Sequence, residues 1–158
     1  RRELRTDSGG AGTFRGGLGQ WTEIGSPVDA PWGISALVDR THFPANGLEG
    51  GGYGAAGEYL VNNSIRPQPK AVFSVAPGDR VQLNPAGGGG YGNPLLRPVE
   101  MVLYDVVNGY VSLEAAEREY GVVIRYMGNA DQLVRPPELY AVDEAATLAL
   151  RGQSSSDL

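Results

Sequence analysis

The chain has 158 residues, 41% of them apolar, and a formal charge of −5, so it can bury one core and has no basic surplus for nucleic acid. It contains no cysteine, which excludes disulfides, thiolate metal sites and a cysteine nucleophile. Its apolar runs are too short to span a membrane and no signal peptide is visible, so a cytoplasmic protein with no membrane partner is expected.

The composition has one anomaly. There are 24 glycines and 11 prolines, and glycine stands at roughly twice its usual share of about 7%. Such a chain loses much backbone entropy on folding, so something must hold the glycines in place. The polar opening "RRELRT" starts on Arg1 and alternates like a strand, which reads as the interior of a longer polypeptide.

In chain order, a first glycine block, "SGGAGTFRGGLG" (8–19), is followed by strand-like "QWTEI" (20–24) and "GISALVD" (33–39). A second block, "NGLEGGGYGAAG" (46–57), leads into "EYLVNN" (58–63). These segments are rich in β-branched and aromatic residues and bounded by Gly or Pro. "KAVFSVAPGDRVQLN" predicts a hairpin of strands 71–75 and 80–83, turning through Pro77 and Gly78. A third block, "NPAGGGGYGNP" (84–94), follows.

Beyond Pro94 the periodicity becomes helical. Val99, Val102, Leu103 and Val106 predict a helix from Pro98 to Gly109, and "SLEAAEREYG" predicts another, capped by Ser112 and stopped by Gly121. "VVIRYM" suits a short strand, and "DEAATLALRG" a last helix capped by Asp143 and stopped at Gly152, with a frayed tail from 153 to 158. The fold class expected is mainly β with glycine-rich polyproline II-like segments, then short C-terminal helices, α+β overall. Residues 1–97 form the β and glycine-rich region, and residues 98–152 a small helical region packed on it.

Glycine pairs three apart recur, as in Gly51, Gly54 and Gly57, and in Gly87 and Gly90. A polyproline II helix has three residues per turn, so such glycines align on one side and let backbones approach.

"GYGAAG" (52–57) matches the dinucleotide fingerprint in letters, but strand-like "EYLVNN" follows where a helix should open. The 84–94 block lacks the Gly-Lys-Ser/Thr ending of a phosphate loop, and the single lysine, Lys70, lies well upstream. A nest of backbone N–H groups for an anion stays open there. His42, the only histidine, has no nucleophile motif beside it, and Glu114, Glu117 and Glu119 suit a solvated helix face. Asp7, Ser8 and Arg15 are polar groups among glycines, where the main chain can approach a ligand or a neighbouring subunit. Two roles are open to them: capping and ion pairing within the fold, or contact with substrate or an interface. No cofactor-binding, metal-binding or catalytic residue is identified.

"ELRTDSGGAGTFRGGLG", "HFPANGLEGGGYGAAG", "VAPGDRVQLNPAGGGGYGNPL" and "DVVNGYVSLEAAEREYGVVI" occur in an order that resembles the C-terminal part of the hydantoinase B/oxoprolinase family. The closing "VDEAATLALR" fits the same pattern. The resemblance implies the B-type component of an ATP-dependent enzyme acting on cyclic amides such as hydantoins or 5-oxoproline. Alternatives are a biotin-independent carboxylase of ketones such as acetone or acetophenone, or a non-catalytic assembly module. It also implies that ATP is bound by a separate A-type component and that a divalent metal is held elsewhere in a hetero-oligomer. The partners expected are that A-type component and the N-terminal part of the B component. Asn84 and Ala86 depart from the Thr-Pro-Gly that hydantoinase-like relatives tend to have.

Overall fold

The computed structural model describes residues 1–129, 131 and 135–154. In chain order its strands are β1 (Arg2–Leu4), β2 (Gln20–Ile24), β3 (Trp32–Leu37), β4 (Glu58–Val61), β5 (Lys70–Val75) and β6 (Val81–Asn84). Then come α1 (Val99–Val107), α2 (Leu113–Tyr120), β7 (Ile124–Tyr126), β8 (Tyr140–Val142) and α3 (Glu144–Ser154). All strand pairing is antiparallel: β1-β2-β6-β4 form one sheet, β3-β5 a second and β7-β8 a third. The fold is α+β, with six strands before the first helix.

The predicted hairpin does not form. Both strands and the turn exist, with Gly78 at φ +81° and Asp79 N–H donating to the Ala76 carbonyl at 3.2 Å. The two strands nevertheless enter different sheets. β5 pairs with β3 from Trp32↔Val75 to Leu37↔Lys70, while β6 lies between β2 and β4. The turn is a corner between sheets. It brings Val75 and Val81, both almost wholly buried, into one core with Ala36, Tyr59 and Val61. Burying that apolar surface is worth more than pairing two short strands that would stay wet on one face.

A second core lies under the helices. Val102, Val106, Val111, Ala116, Tyr120 and Val122 pack together, and Ala11 reaches them from the first glycine block. Ser112 caps α2 by accepting the Ala115 N–H at 3.0 Å, and Gly121 ends it in the left-handed region at φ +61°. Asp143 caps α3 through the Ala146 N–H at 3.1 Å. The stop expected at Gly152 is absent, since α3 continues to Ser154. Arg151 holds that last turn by donating to the carbonyls of Tyr120 at 3.1 Å and Arg97 at 2.9 Å. A helical glycine costs about 1 kcal/mol relative to alanine, which such anchoring offsets. Residues 155–158 of the expected tail lie outside the described residues. Strand β8, three residues long, gave no sequence signal; β7 is the strand expected in "VVIRYM".

Between the sheets and the helices, the three glycine blocks pack main chain on main chain. Gly10 N–H donates to the Gly88 carbonyl at 2.8 Å, Gly52 N–H to Ala11 at 2.7 Å, Leu48 N–H to Gly90 at 3.0 Å and Ala55 N–H to Ser8 at 2.8 Å. The three-residue spacing is a contact spacing. Gly51 lies against Gly90 and Gly54 against Gly87, so one segment descends as the other climbs, while Gly57 meets the Asp39 carbonyl first. A methyl group at Gly51 or Gly54 would overlap the facing carbonyl. Glycine is required here because nothing larger lets the backbones meet.

Candidate functional site

The most glycine-dense block, Gly87 to Gly92, has five of its six backbone donors occupied. The N–H of Gly87 donates to Ala55, that of Gly88 to Gly17 and that of Gly90 to Gly52, while Tyr91 and Gly92 donate to Phe14 and Leu48. The distances run from 2.9 to 3.0 Å. A phosphate cradle needs several adjacent N–H groups facing one open point. Here five donors are directed at five carbonyls from two neighbouring segments. "GYGAAG" is occupied likewise: Gly52, Gly54 and Gly57 donate to Ala11, Ala45 and Arg40, and the chain runs on into strand β4.

Asp7 and Arg15 come to the junction of the first glycine block with α1 and α2, while Ser8 is held by Arg5, Gly19 and Ala55. Asp7 sits at φ +60° and its Oδ1 accepts the Ser112 N–H at 2.8 Å, just before α2. Ser8 is buried; its hydroxyl donates to the Arg5 carbonyl at 2.5 Å and accepts the Gly19 N–H at 2.8 Å. Arg15 pairs with Asp105, Nε to Oδ2 at 3.1 Å, and its guanidinium lies 5.4 Å from the Tyr110 ring centroid. All three therefore make the capping and ion-pair contacts that the sequence left open as one of their two roles.

The partner of Arg15 was not singled out from sequence. Asp105 is 2% exposed and is shared with Arg97, whose Nη2 donates to Oδ2 at 2.9 Å. Arg97 Nη1 donates to the Thr13 carbonyl at 3.0 Å, and the Arg97 carbonyl accepts from Arg151. Two arginines and one carboxylate thus meet at one buried point. The available signal was position: Asp105 sits three residues after Val102 and beside Val106, on the face that packs inward. A carboxylate there must be paired, because an isolated buried charge is too costly. Nearby, burial pushes the Tyr120 hydroxyl up to about 12.

His42 lies beside Glu58, Tyr59 and Arg66 on the wall of a cavity of about 290 Å³. The Tyr59 hydroxyl is buried without a hydrogen-bond partner among the described residues, and burial raises its pKa. On α2, Glu114 and Glu117 are exposed and Glu119 is half-buried, accepting from Arg118 at 2.8 Å. Among the described residues no three His, Cys, Asp or Glu side chains are grouped to hold a metal ion. No helix among them is long and apolar enough to cross a membrane.

One polar side chain stands apart. Asn84, the last residue of β6, is 0% exposed, and neither its amide oxygen nor its nitrogen has a partner among the described residues. It adjoins a cavity of about 240 Å³ on the face of the four-stranded sheet that carries Trp21 and Gln82.

A family model described as hydantoinase B/oxoprolinase matches residues 1–94. The chain is 38% identical over 149 residues to caprolactamase subunit beta of Pseudomonas jessenii, across 84% of this chain and 24% of that one. The crystal structure of ATP-dependent caprolactamase from the same organism superposes with a TM-score of 0.65 at 34% identity, over 96% of this chain and 25% of that one. Nucleotide-free acetone carboxylase superposes with a TM-score of 0.71 at 26% identity, over 99% and 24% respectively. The chain spans about a quarter of the length of these relatives.

Proposed function

The chain belongs to the hydantoinase B/oxoprolinase family, and from that premise we propose that it is the C-terminal segment of a B-type component in an ATP-dependent cyclic-amide hydrolase. Its part is scaffold and subunit interface. ATP is bound by an A-type partner, a divalent metal is held elsewhere in the assembly, and this segment alone is inactive. The glycine segments are polyproline II-like rods on this reading, consistent with their three-residue contact repeat.

The observation that carries the proposal is the commitment of five donors between Gly87 and Gly92 to carbonyls of the 8–19 and 46–57 blocks. It supports a framework role for the glycine block, and with it the reading that nucleotide is bound by another polypeptide. The chemistry is tested on the assembled complex by measuring ATP turnover. Stimulation by hydantoin, 5-oxoproline or caprolactam without bicarbonate is expected; no stimulation by any of them would defeat the reading. Calorimetry of this chain with ATP should give no binding, and tight binding would refute the division of labour.

The likeness to acetone carboxylase favours a second reading, the same structural part of a ketone carboxylase. It predicts turnover that needs bicarbonate together with a ketone. If the segment is an assembly module alone, Asp7→Ala, Ser8→Ala and Arg15→Ala each leave turnover intact once the complex has formed. A contact to substrate would show instead as a raised KM in one of them.

A further inference from the structure

Helices α1 and α3, with β8, bound an open groove of about 540 Å³ whose lining is mostly apolar. Val99 and Leu103, one turn apart on α1, and Val142 of β8 line it and are partly buried against the helical core. Leu148 of α3 lines it too and is 75% exposed. Glu100 and Glu144, each in the first turn of its helix, are exposed at the same groove. Neither carboxylate forms an ion pair among the described residues. Arg151 also borders the groove, but its guanidinium is committed to the carbonyls of Tyr120 and Arg97.

The helix dipole favours an acid in a first turn and so accounts for each glutamate singly. It gives no reason for an exposed leucine beside them. The α3 side of the groove repeats at the helical period, through Glu144, Thr147, Leu148 and Arg151. A groove between two helices takes a third helix by seating ridges between ridges, with apolar anchors every three or four residues. The two unpaired carboxylates then call for a cation on that helix.

The charge and the size of the groove select where the helix comes from. A two-fold contact with a second copy would set this acidic groove against itself, in a chain of formal charge −5, and like charges facing each other are costly. A separate chain needs about 20–30 residues on each side for a stable interface, and eight line this groove. A segment of the same polypeptide needs far less, because tethering holds it at an effective concentration of roughly millimolar. The relatives are about four times as long as this chain, which leaves ample polypeptide to supply it.

We propose that the groove between α1 and α3 receives an amphipathic helix from the part of the B-type polypeptide outside this chain. Its apolar side chains lie on Leu103 and Leu148, and a lysine or arginine meets Glu100 or Glu144. The inference rests on the reading of this chain as a segment of a longer B-type component and gives one of its interfaces a place and a chemistry.

The test uses the full-length B-type component in its assembled complex, with Leu148→p-benzoylphenylalanine as a photo-crosslinker. Irradiation should yield an adduct within one polypeptide, unchanged in mass on a denaturing gel. Peptide mapping should place it on a segment outside these 158 residues that carries a basic residue and apolar residues at helical spacing. An adduct to a second copy or to the A-type partner, or no adduct, overturns the proposal. Leu148→Asp gives a second readout through hydrogen exchange of the α1 amides in the complex. If a helix covers Leu148, exchange over Val99–Val107 should be at least about tenfold faster than in the wild type. Unchanged exchange counts against the covering helix, since an exposed side chain can be replaced at little cost. The intact mass of the B-type chain checks the premise separately. A polypeptide no longer than this chain would sink the segment reading and the groove together, whereas a longer one without an adduct at position 148 sinks the groove alone.

Discussion

Gly87 lies directly against the carbonyl of Ser8, so close that a methyl group on Gly87 would occupy the position of that oxygen. The Ser8 carbonyl is not free to move aside. It accepts the Ala55 N–H at 2.8 Å, and Gly87 itself donates to the Ala55 carbonyl at 3.0 Å. One point therefore ties together all three glycine blocks.

Gly87→Ala should cost about 3 kcal/mol or more, beyond ordinary overpacking, because the obstruction is backbone and cannot change rotamer. Gly17→Ala is the control. Nothing lies within 4 Å of a methyl group there, and its effect should stay within about 1 kcal/mol and be of stabilising sign. Thermal melts of the two variants beside the wild type check this. Equal melting temperatures would remove the packing role claimed for the three-residue repeat.

Asp105 joins Arg15 and Arg97 in a buried group, and removing it strands two cations. Asp105→Ala should destabilise by about 3–5 kcal/mol. Arg15→Ala leaves the Arg97–Asp105 pair standing and should cost less. Denaturant titration of both variants gives the order, and the reverse order would show that Arg15 holds the junction through Tyr110 instead.

Tyr120 titrates near 12 when folded, against about 10 when unfolded, because burial disfavours the phenolate. The folded state then holds a proton that the unfolded state has lost, so stability is unchanged below about pH 10 and falls as pH rises toward about 12. Tyr59, raised for the same reason, adds to the fall. Urea midpoints between pH 8 and 12 should drop in the wild type and drop less steeply in Tyr120→Phe.

Asp143 acts on the acid side. The Ala146 N–H, and then Arg125 with Nη2 2.7 Å from Oδ2, hold its carboxyl below the usual value. A lowered acid contributes stability above its unfolded pKa of about 4, and loses it as pH falls through the folded value. In Asp143→Asn the melting temperature should depend less on pH below about 4. A profile identical to wild type would mean that the cap is not formed in solution.

Local chemistry made much of the fold legible in advance. Strand β2 has the expected bounds, and Ser112, Gly121 and Asp143 take the cap positions that their residue types favour. Each depends on neighbours a few residues away. The 71–75 and 80–83 pair shows the limit, since Pro77 and Gly78 specify a turn but not which strands flank each other after it. The candidate site divides in the same way. Asp7, Ser8 and Arg15 were visible as polar residues among glycines, whereas Asp105 and Arg97 acquire meaning only from partners such as Arg15 and Thr13, far along the chain.

From residue order alone came the absence of thiol chemistry, the switch from extended to helical segments near Pro98, and the three-residue glycine repeat with its demand for close backbone contact. These follow from side-chain inventory and short-range geometry. Which carbonyl each glycine meets, which sheet each strand joins, and which buried charge or amide is satisfied were decided by tertiary structure. Those outcomes depend on how much surface distant segments can remove from water together, a quantity that no short window of sequence contains.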